Sequence, residues 1–563
     1  MTPEGRAIRW PTAGVLVVVL AVATALRVYG LYWGLPDERH LFSYHPDEYF
    51  SLQAVWSFAA GTLDPRYYNY GTLYFYLVLL ATLWRGDALL LERVPESMRA
   101  LVLDARVVTV ILGVATVLVL YFAGRELYGR RAGLAGAAVL AVMPLHAIHG
   151  HFATVDVPIA FWTVVCLYFA ARIVRADEAT TPRRPFLPYL LGGAAAGLAA
   201  ATKYNGGLAI LFVVVAHVVV ARQTAPAGQW WRAFLDRRLA VALFCLVAAF
   251  LIACPWPVLD FPQWWGGPDQ WSSVRYEIEH MRRGDSPAIV EATPPGLVFH
   301  LIQSLAYGCT WPLLAVALVG LGYALRRRAR ADWVVLVFVF AWYVMIGLAK
   351  TRYMRYTVPL LPPLALVTGR LLMVRGVAQG ARGGLRAAGI AVGWVCVALA
   401  AAYTVRYDAS MAGPSEQGRM ADLILSEAPP GATMGTLGPL WYCHPPVGFV
   451  NGGRVLNSKQ VWRTYERSPY ALLAVGFSVI PRTDYLIVTE AEVAYERLAD
   501  STDWQALQAA LAEYELVPGQ PSPPWTPHRL FPLPLTGPLP PADWRYPFPG
   551  IALYRLKAAD AGR

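Results

Sequence analysis

The sequence has few charged residues: they make up 15% of its 563 residues, whereas 56% are hydrophobic. A soluble globular protein carries about 25% charged residues, so this composition excludes that class. The charges that remain sum to +11, a balance that would suit nucleic acid. Most of the arginines, however, lie in short loops between long apolar runs. We therefore attribute the excess to membrane topology and predict no nucleic-acid partner.

Other absences narrow the function. The six cysteines are scattered and form no Cys-x-x-Cys pair, so their spacing predicts neither a disulfide framework nor a cysteine-based metal site. The chain also lacks an internal repeat and a glycine-rich nucleotide loop. Direct use of a nucleotide sugar is therefore not indicated.

Apolar runs long enough to cross a bilayer, about 17–25 residues each, recur through the first 405 residues. Arginine-rich loops, such as those at 125–131 and 326–330, alternate with loops that are cation-poor or charge-balanced. The positive-inside rule places the arginine-rich loops and the N-terminus in the cytoplasm. The resulting prediction is eleven spans, at 11–33, 101–123, 132–148, 157–174, 187–203, 206–221, 239–255, 297–325, 333–349, 357–374 and 387–405.

One segment, at 71–91, is ambiguous. Its apolar stretch at 73–83 is short for a span and suits a helix lying in the interface. If the segment crossed the membrane, the arginines at 125–131 would fall outside. We therefore predict an interfacial helix.

These features predict a polytopic α-helical membrane protein with two domains. Residues 1–405 form the transmembrane domain, and its outer loops at 34–100, 149–156 and 256–296 form the active-site face. Residues 406–563 lack apolar spans and form a small extracytoplasmic α/β domain. Within it we expect strands at 433–437, 485–489 and 551–556 and helices at 418–428 and 504–516.

Ionisable residues gather in the predicted outer loops, where charge next to a membrane is costly and indicates function. The carboxylates are Asp47, Glu48 and Asp156, and the cations are Lys203, Arg352 and Arg355. Structural alternatives exist for each. An aspartate can cap a helix, a basic side chain can extend to lipid headgroups, and Tyr204, Tyr353 and Tyr356 suit an interfacial aromatic belt.

Four passages carry a family resemblance. They are HPDEYF from His45, HGHFATVDVP from His149, GLAAATKYNG from Gly197 and TRYMRYTVPLLPPLAL from Thr351. In this order they resemble the GT-C glycosyltransferases of the protein O-mannosyltransferase and aminoarabinose-transferase type, over most of residues 11–405. The segment at 69–73 departs from the Pro-rich stretch of many members.

The resemblance implies an inverting transfer of a sugar, a hexose such as mannose or a pentose, from a polyprenyl-phosphate carrier to an acceptor hydroxyl. The acceptor is a protein, a glycolipid or a polysaccharide, and the reaction takes place on the extracytoplasmic face of the plasma membrane. A membrane transporter or lipid-linked sugar flippase without transferase chemistry is the alternative. Such a protein would show paired halves with broken helices, and no two halves of this sequence correspond.

The resemblance also implies residue roles. Asp47 matches the family's catalytic aspartate and is the expected base. Glu48 and Asp156 are expected to orient the acceptor or a metal. No cofactor is certain, but a divalent cation could be held by Asp47, His149, His151 and Asp156. The donor phosphate is expected to bind Lys203, Arg352 and Arg355, since cations stabilise a leaving phosphate.

Overall fold

A computed structural model describes residues 10–40, 42–58, 61–85, 95–176, 186–224, 229–267, 270–284, 287–374, 381–437, 442–447, 468–474, 480, 482–520, 535–536 and 540–557. This part of the chain is mostly helical. Its first half contains helices α1 Trp10–Val28, α2 Pro46–Ser57, α3 Leu73–Trp84, α4 Pro95–Tyr128, α5 Arg130–Val142, α6 Pro144–Ile148, α7 Asp156–Ala176, α8 Leu187–Thr202, α9 Ile210–Thr224 and α10 Arg237–Ala253.

The second half begins with short helices and continues with long ones. They are α11 Trp256–Leu259, α12 Phe261–Trp265, α13 Val274–Arg283, α14 Pro287–Ala292, α15 Gly296–Phe299, α16 Ala306–Cys309, α17 Trp311–Arg327, α18 Arg330–Gly347, α19 Leu361–Leu372, α20 Ala381–Met411, α21 Glu416–Glu427, α22 Glu490–Leu498 and α23 Thr502–Leu511. Tighter 3₁₀ turns lie at His149–His151, Tyr204–Ala209, Trp230–Leu235, Met354–Leu360 and Ala542–Trp544, and a wider π-helical turn lies at His300–Leu305.

The long apolar helices make this an integral membrane protein. Five helices among the described residues are long and apolar enough to cross a bilayer, or seven if two bent pairs each count as one span. Each of the eleven predicted segments contains a helix, but several of these helices are shorter than a full span. The exact number of eleven stays a prediction.

Two predicted spans are bent. The chain turns by 66° between α5 and the segment Pro144–His151, and by 113° between Gly296–Cys309 and α17. Proline accounts for both breaks, because Pro144 and Pro312 lie in the first turn of the following helix. A proline there cannot continue the preceding helix, but it starts a new one readily. The predicted span 297–325 is therefore not one straight helix.

Close helix packing brings α8 against α10. A Cβ atom on Gly193 would collide with the backbone oxygen of Ala242, and one on Gly197 with that of Leu246. Small residues of this kind let membrane helices approach each other closely. The packing fixes the end of α8, from which Lys203 projects.

The ambiguous segment forms α3, which has 12 residues. The buried Tyr74 hydroxyl of α3 donates to the backbone oxygen of Ala105 in α4, at 3.0 Å. Residues 86–91 of the predicted interfacial segment lie outside the described residues. A helix of this length is too short for a span, and its position in the interface stays a prediction.

After α20, five short strands form one sheet. They are β1 Thr433–Thr436, β2 Ala471–Ala474, β3 Tyr485–Thr489, β4 Tyr514–Leu516 and β5 Ile551–Leu556, in the order β2-β1-β3-β5-β4. β1 is parallel to β2 and β3, whereas β5 is antiparallel to β3 and β4. The helix predicted at 504–516 is wrong at its end, because 514–516 pair with β5 instead of continuing α23. That this region is a separate extracytoplasmic domain stays a prediction.

The two ends of the helix bundle differ chemically. At one end, Arg175 of α7 pairs with Glu126 of α4 at 2.8 Å, and Arg370 of α19 pairs with Asp332 of α18. At the other end lie the start of α2, the start of α7, the end of α8 and the turn Met354–Leu360. This division follows the predicted alternation of loops. Which end faces the cytoplasm stays a prediction.

Candidate active site

Asp47 lies in the first turn of α2, a helix that begins with Pro46 at its N-terminus. Its carboxylate pairs with Arg355, at 3.1 Å between Oδ2 and Nε, and the two side chains are 15% and 6% exposed. Burial raises the pKa of Asp47, Arg355 opposes that rise, and the nearby Asp156 adds to it. A carboxyl with a raised pKa is a better proton acceptor when ionised.

Asp156 begins α7 and pairs with Lys203, which ends α8 in an extended conformation. Lys203 Nζ lies 3.0 Å from Asp156 Oδ1, and both side chains are almost completely buried. This pair is close enough to Asp47 that Asp156 and Lys203 shift the pKa of Asp47 in opposite directions. We call Asp47, Asp156, Lys203 and Arg355 the charged quartet.

Tyrosine rings surround the cations of the quartet. Lys203 Nζ lies 4.8 Å from the ring centre of Tyr356 and 5.3 Å from that of Tyr70, and the Arg355 guanidinium lies 3.7 Å from that of Tyr353. Aromatic faces at these distances attract cations. Tyr353 and Tyr356 therefore face the site instead of forming the aromatic belt that we expected.

Glu48 follows Asp47 in the chain but points elsewhere. Its two oxygens accept from Arg106 Nε and Nη2, each at 2.8 Å, and Oε1 also accepts from the backbone N–H of Ala153 at 2.7 Å. Glu48 and Arg106 are both completely buried. Burial alone would raise the pKa of Glu48, but Arg106 holds it below its ordinary value. These contacts tie α2 to α4 and to the loop before α7.

The histidines predicted as metal ligands have unlike surroundings. Both ring nitrogens of His151 face backbone oxygens, of Ile148 at 3.1 Å and of Tyr29 at 2.9 Å. His149 has no hydrogen-bond partner on either ring nitrogen among the described residues, and the same holds for the buried His45, whose ring lies 6.3 Å from that of His149. His149 is thus better placed than His151 to meet a ligand beside Asp156.

Arg352 makes contacts outside the quartet. Its Nη1 donates to the backbone oxygens of Val290 at 3.2 Å and Thr293 at 3.0 Å, and to the Thr293 hydroxyl. These contacts attach the turn before Met354–Leu360 to the long loop at 256–296. The structure brings Arg355 and Lys203 together with the carboxylates, whereas the contacts of Arg352 are with Val290 and Thr293.

A segment near the C-terminus, for which the sequence predicted no role, also reaches the site. Asp543 accepts from the backbone N–H groups of Met354 and Arg355, at 3.1 and 3.0 Å, and its Oδ2 lies 3.6 Å from Arg355 Nη1. The Tyr546 hydroxyl lies 3.4 Å from the same Arg355 nitrogen. We call residues 540–548 the C-terminal strap.

The strap is anchored by Trp544, which is completely buried. Its ring packs against Tyr407 at 4.6 Å and Tyr403 at 6.1 Å, and its backbone oxygen accepts from the Tyr407 hydroxyl at 2.9 Å. A Pro-rich stretch some 190 residues after Arg355 carries no local signal of such contacts. Only the aromatic and acidic residues inside that stretch (Asp543, Trp544, Tyr546) could have suggested them.

Comparisons with known proteins agree with the motifs. The family model described as dolichyl-phosphate-mannose-protein mannosyltransferase matches residues 92–262. Undecaprenyl phosphate-α-4-amino-4-deoxy-L-arabinose arabinosyl transferase 1 of Pseudomonas fluorescens is 25% identical over 369 residues, covering 63% of this chain and 60% of that protein. Transferase 2 of Proteus mirabilis is 24% identical over 45% of this chain and 42% of its own length. The resemblance inferred from the motifs is confirmed.

The two curated relatives are matched over part of their length. The chain spans about three fifths of the first relative's length and about two fifths of the second's. The crystal structure of ArnT from Cupriavidus metallidurans bound to undecaprenyl phosphate aligns over 98% of this chain and 99% of its own, with 16% identity and a TM-score of 0.49. The family match includes Asp156 and Lys203, while Asp47 and Arg355 lie outside it.

Proposed function

We propose that the protein is an inverting glycosyltransferase that moves a sugar from a polyprenyl-phosphate carrier to an acceptor hydroxyl. The observation that carries this proposal is the charged quartet: two carboxylates and two cations, buried together at one end of a membrane bundle. Two carboxylates suit deprotonation and orientation of an alcohol, and two cations suit a phosphate. The relatives' names, which specify an undecaprenyl phosphate sugar and a dolichyl-phosphate mannose, support the same donor class.

Asp47 is the proposed base. The acceptor oxygen attacks the anomeric carbon, its proton passes to Asp47, and the bond from that carbon to the phosphate oxygen breaks. The sugar inverts because the new bond forms opposite the leaving phosphate. A positioned base contributes about 10²- to 10⁴-fold to such a step. Asp156, held by Lys203, is proposed to orient the acceptor.

Arg355 and Lys203 are the proposed phosphate ligands. An arginine presents a planar fork that matches phosphate oxygens, and a lysine provides a compact charge. In the structure each cation is paired with a carboxylate of the quartet. A donor phosphate would replace Asp47 as the partner of Arg355, while Asp543 stays bound to it. The exchange would leave Asp47 free to accept a proton when donor is present.

Glu48 takes a different role from the one the resemblance implied. Its oxygens already accept from Arg106 and Ala153, so we propose that it positions Asp47 by fixing the start of α2. Arg352 is proposed to hold the loop at 256–296 beside the site. A divalent cation at Asp47, His149 and Asp156 stays a prediction, with His151 the least suited of the four because of its backbone contacts.

We further propose that the site faces away from the cytoplasm. The loops that carry the quartet alternate along the chain with the arginine-rich ones, and the arginine-rich ends of α4 and α7 lie at the opposite end of the bundle. Under the positive-inside rule, that places the quartet on the extracytoplasmic side of the plasma membrane. The sugar is a hexose or a pentose, and the acceptor a protein, glycolipid or polysaccharide.

The test uses membranes that contain the protein and a panel of polyprenyl-phosphate sugars labelled in the sugar. We expect one donor to be consumed, with polyprenyl phosphate released in step with loss of the labelled lipid. Membranes with the Lys203→Gln variant should consume it much more slowly. If the labelled lipid instead exchanges between leaflets without loss of its sugar, the protein is a flippase and the proposal is wrong.

A further inference from the structure

Outside the quartet, one cluster of metal-binding side chains stands near the sheet. Cys443 and His444 are adjacent in the chain and each is 3% exposed, and Glu492 lies in the first turn of α22. Among the described residues, these three form the one group whose His, Cys and carboxylate ligand atoms all lie within 4.8 Å of one another.

We propose that Cys443, His444 and Glu492 bind a zinc ion. Thiolate, imidazole and carboxylate are the three ligand types that zinc takes in proteins, and ligand atoms around one tetrahedral zinc lie roughly 3–4 Å apart. With one ligand atom taken from each residue, the three atoms lie within 4.8 Å of one another. Cys443 Sγ lies 3.4 Å from His444 Nδ1 and Glu492 Oε2 lies 3.3 Å from His444 Nε2, and because an imidazole gives one nitrogen to a zinc ion, binding would shift one of these two side chains towards the nitrogen that the ion takes. Three protein ligands leave a fourth position for water.

The surroundings of Glu492 suit a ligand. The Thr489 hydroxyl donates to Glu492 Oε2 at 2.8 Å and also caps α22 by accepting from the backbone N–H of Glu492. Hydrogen bonds of this kind orient metal ligands. The cysteine spacing could not indicate the site, because its third ligand comes 48 positions after His444 and the cluster contains a single cysteine.

The zinc would join two segments that border the charged quartet. Tyr442, beside Cys443, packs edge-on against Tyr546 of the C-terminal strap at 5.4 Å, and Tyr546 reaches Arg355. The start of α22 holds the end of the strap region, since the backbone N–H of Ala491 donates to Pro549. The metal would therefore stabilise the position of the C-terminal strap beside Arg355. This inference does not depend on the proposed transferase activity.

The experiment measures metal in the purified full chain after loading with zinc and dialysis against metal-free buffer. We expect one zinc per chain in the wild type and at least a tenfold lower content in Cys443→Ser and Glu492→Gln. Glu496→Gln is the matched control, because it changes the same residue type on the same helix outside the cluster. It should keep one zinc.

Cobalt gives a second readout, because its absorption reports a thiolate ligand directly in the wild type. Cobalt bound to the wild type should show thiolate-to-metal charge-transfer absorption, which Glu496→Gln should keep and Cys443→Ser should lose. The unfolding temperature of the wild type should rise when zinc is added, and that of Cys443→Ser should not. Wild type without retained zinc, or variants that retain as much as the wild type, would overturn the proposal.

Discussion

Asp47 and Glu48 are neighbours in the chain, and each pairs with an arginine, but the two pairs differ in what they can do. The pair of Glu48 with Arg106 is completely buried, with both carboxylate oxygens and three arginine nitrogens already bonded. The pair of Asp47 with Arg355 is slightly exposed, with 3.1 Å between Asp47 Oδ2 and Arg355 Nε. A saturated pair stabilises the fold, whereas an unsaturated one can exchange partners. In the proposed mechanism, one dipeptide thus supplies both a structural and a reactive carboxylate.

The largest expected difference between the two carboxylates is in their contribution to stability. We expect Glu48→Gln to lower the free energy of unfolding by about 3–5 kcal/mol, because it leaves Arg106 as an uncompensated buried charge. The thermal unfolding of purified protein in detergent measures this. The control is Asp422→Asn, which removes an exposed partner of Arg39 and should cost at most about 1 kcal/mol. A Glu48→Gln variant that is fully stable but inactive would reverse the roles assigned to the two carboxylates.

The strap offers the next effect in size. Asp543→Asn removes a buried charge beside Arg355 and weakens two backbone hydrogen bonds. We expect the change to cost about 1–3 kcal/mol in the apparent free energy of donor binding. The loss should appear mainly as a raised KM for the lipid donor, since Asp543 holds Arg355, a proposed ligand of the donor phosphate. Steady-state kinetics at varied donor concentration separate KM from kcat. Asp503→Asn on α23 serves as the control, and an unchanged KM would mean that the strap has no part in donor binding.

A smaller effect is expected from the strap's tyrosine. Tyr546→Phe removes a single hydroxyl contact to Arg355, 3.4 Å long, and should cost about 0.5–1.5 kcal/mol in kcat/KM for the donor. Tyr442→Phe is its matched control, a ring that packs on Tyr546. Equal losses in both variants would indicate that the contact of the Tyr546 hydroxyl with Arg355 makes no specific contribution.

The subtlest effect is on pH dependence. The pKa of Asp47 is raised, and as a base it must be ionised, so the transfer rate should fall as the pH is lowered through that raised pKa. Asp156 contributes to the rise, so Asp156→Asn should move this acidic limb to lower pH, whatever it does to the maximal rate. Profiles of kcat/KM against pH test this. A limb that stays in place or moves upward would show that Asp47 does not set it.

How much the sequence could predict depends on the range of the interactions. The gathering of the charged quartet at one end of the bundle was predictable, because each of its residues lies in a local motif at a loop next to an apolar run. The roles of these residues stay a prediction. The saturation of Glu48 was not, since Arg106 lies 58 residues away inside a predicted span. Asp543 was out of reach for the same reason, and residues 514–516 became a strand only because β5 lies beside them. Local patterns indicate which residues are candidates for chemistry. Tertiary contacts decide which of these side chains are already bonded within the fold.

The central claim is that Asp47 accepts the proton of the acceptor while Arg355 and Lys203 hold the donor phosphate. Its most direct test compares wild type and Asp47→Asn in the same lipid vesicles, measuring donor binding and single-turnover transfer. We predict that the variant folds and binds the polyprenyl-phosphate sugar at least as well as the wild type, because Arg355 loses a competing carboxylate. Its transfer step should be slower by about 10²- to 10⁴-fold. Transfer at the wild-type rate by Asp47→Asn would contradict the account.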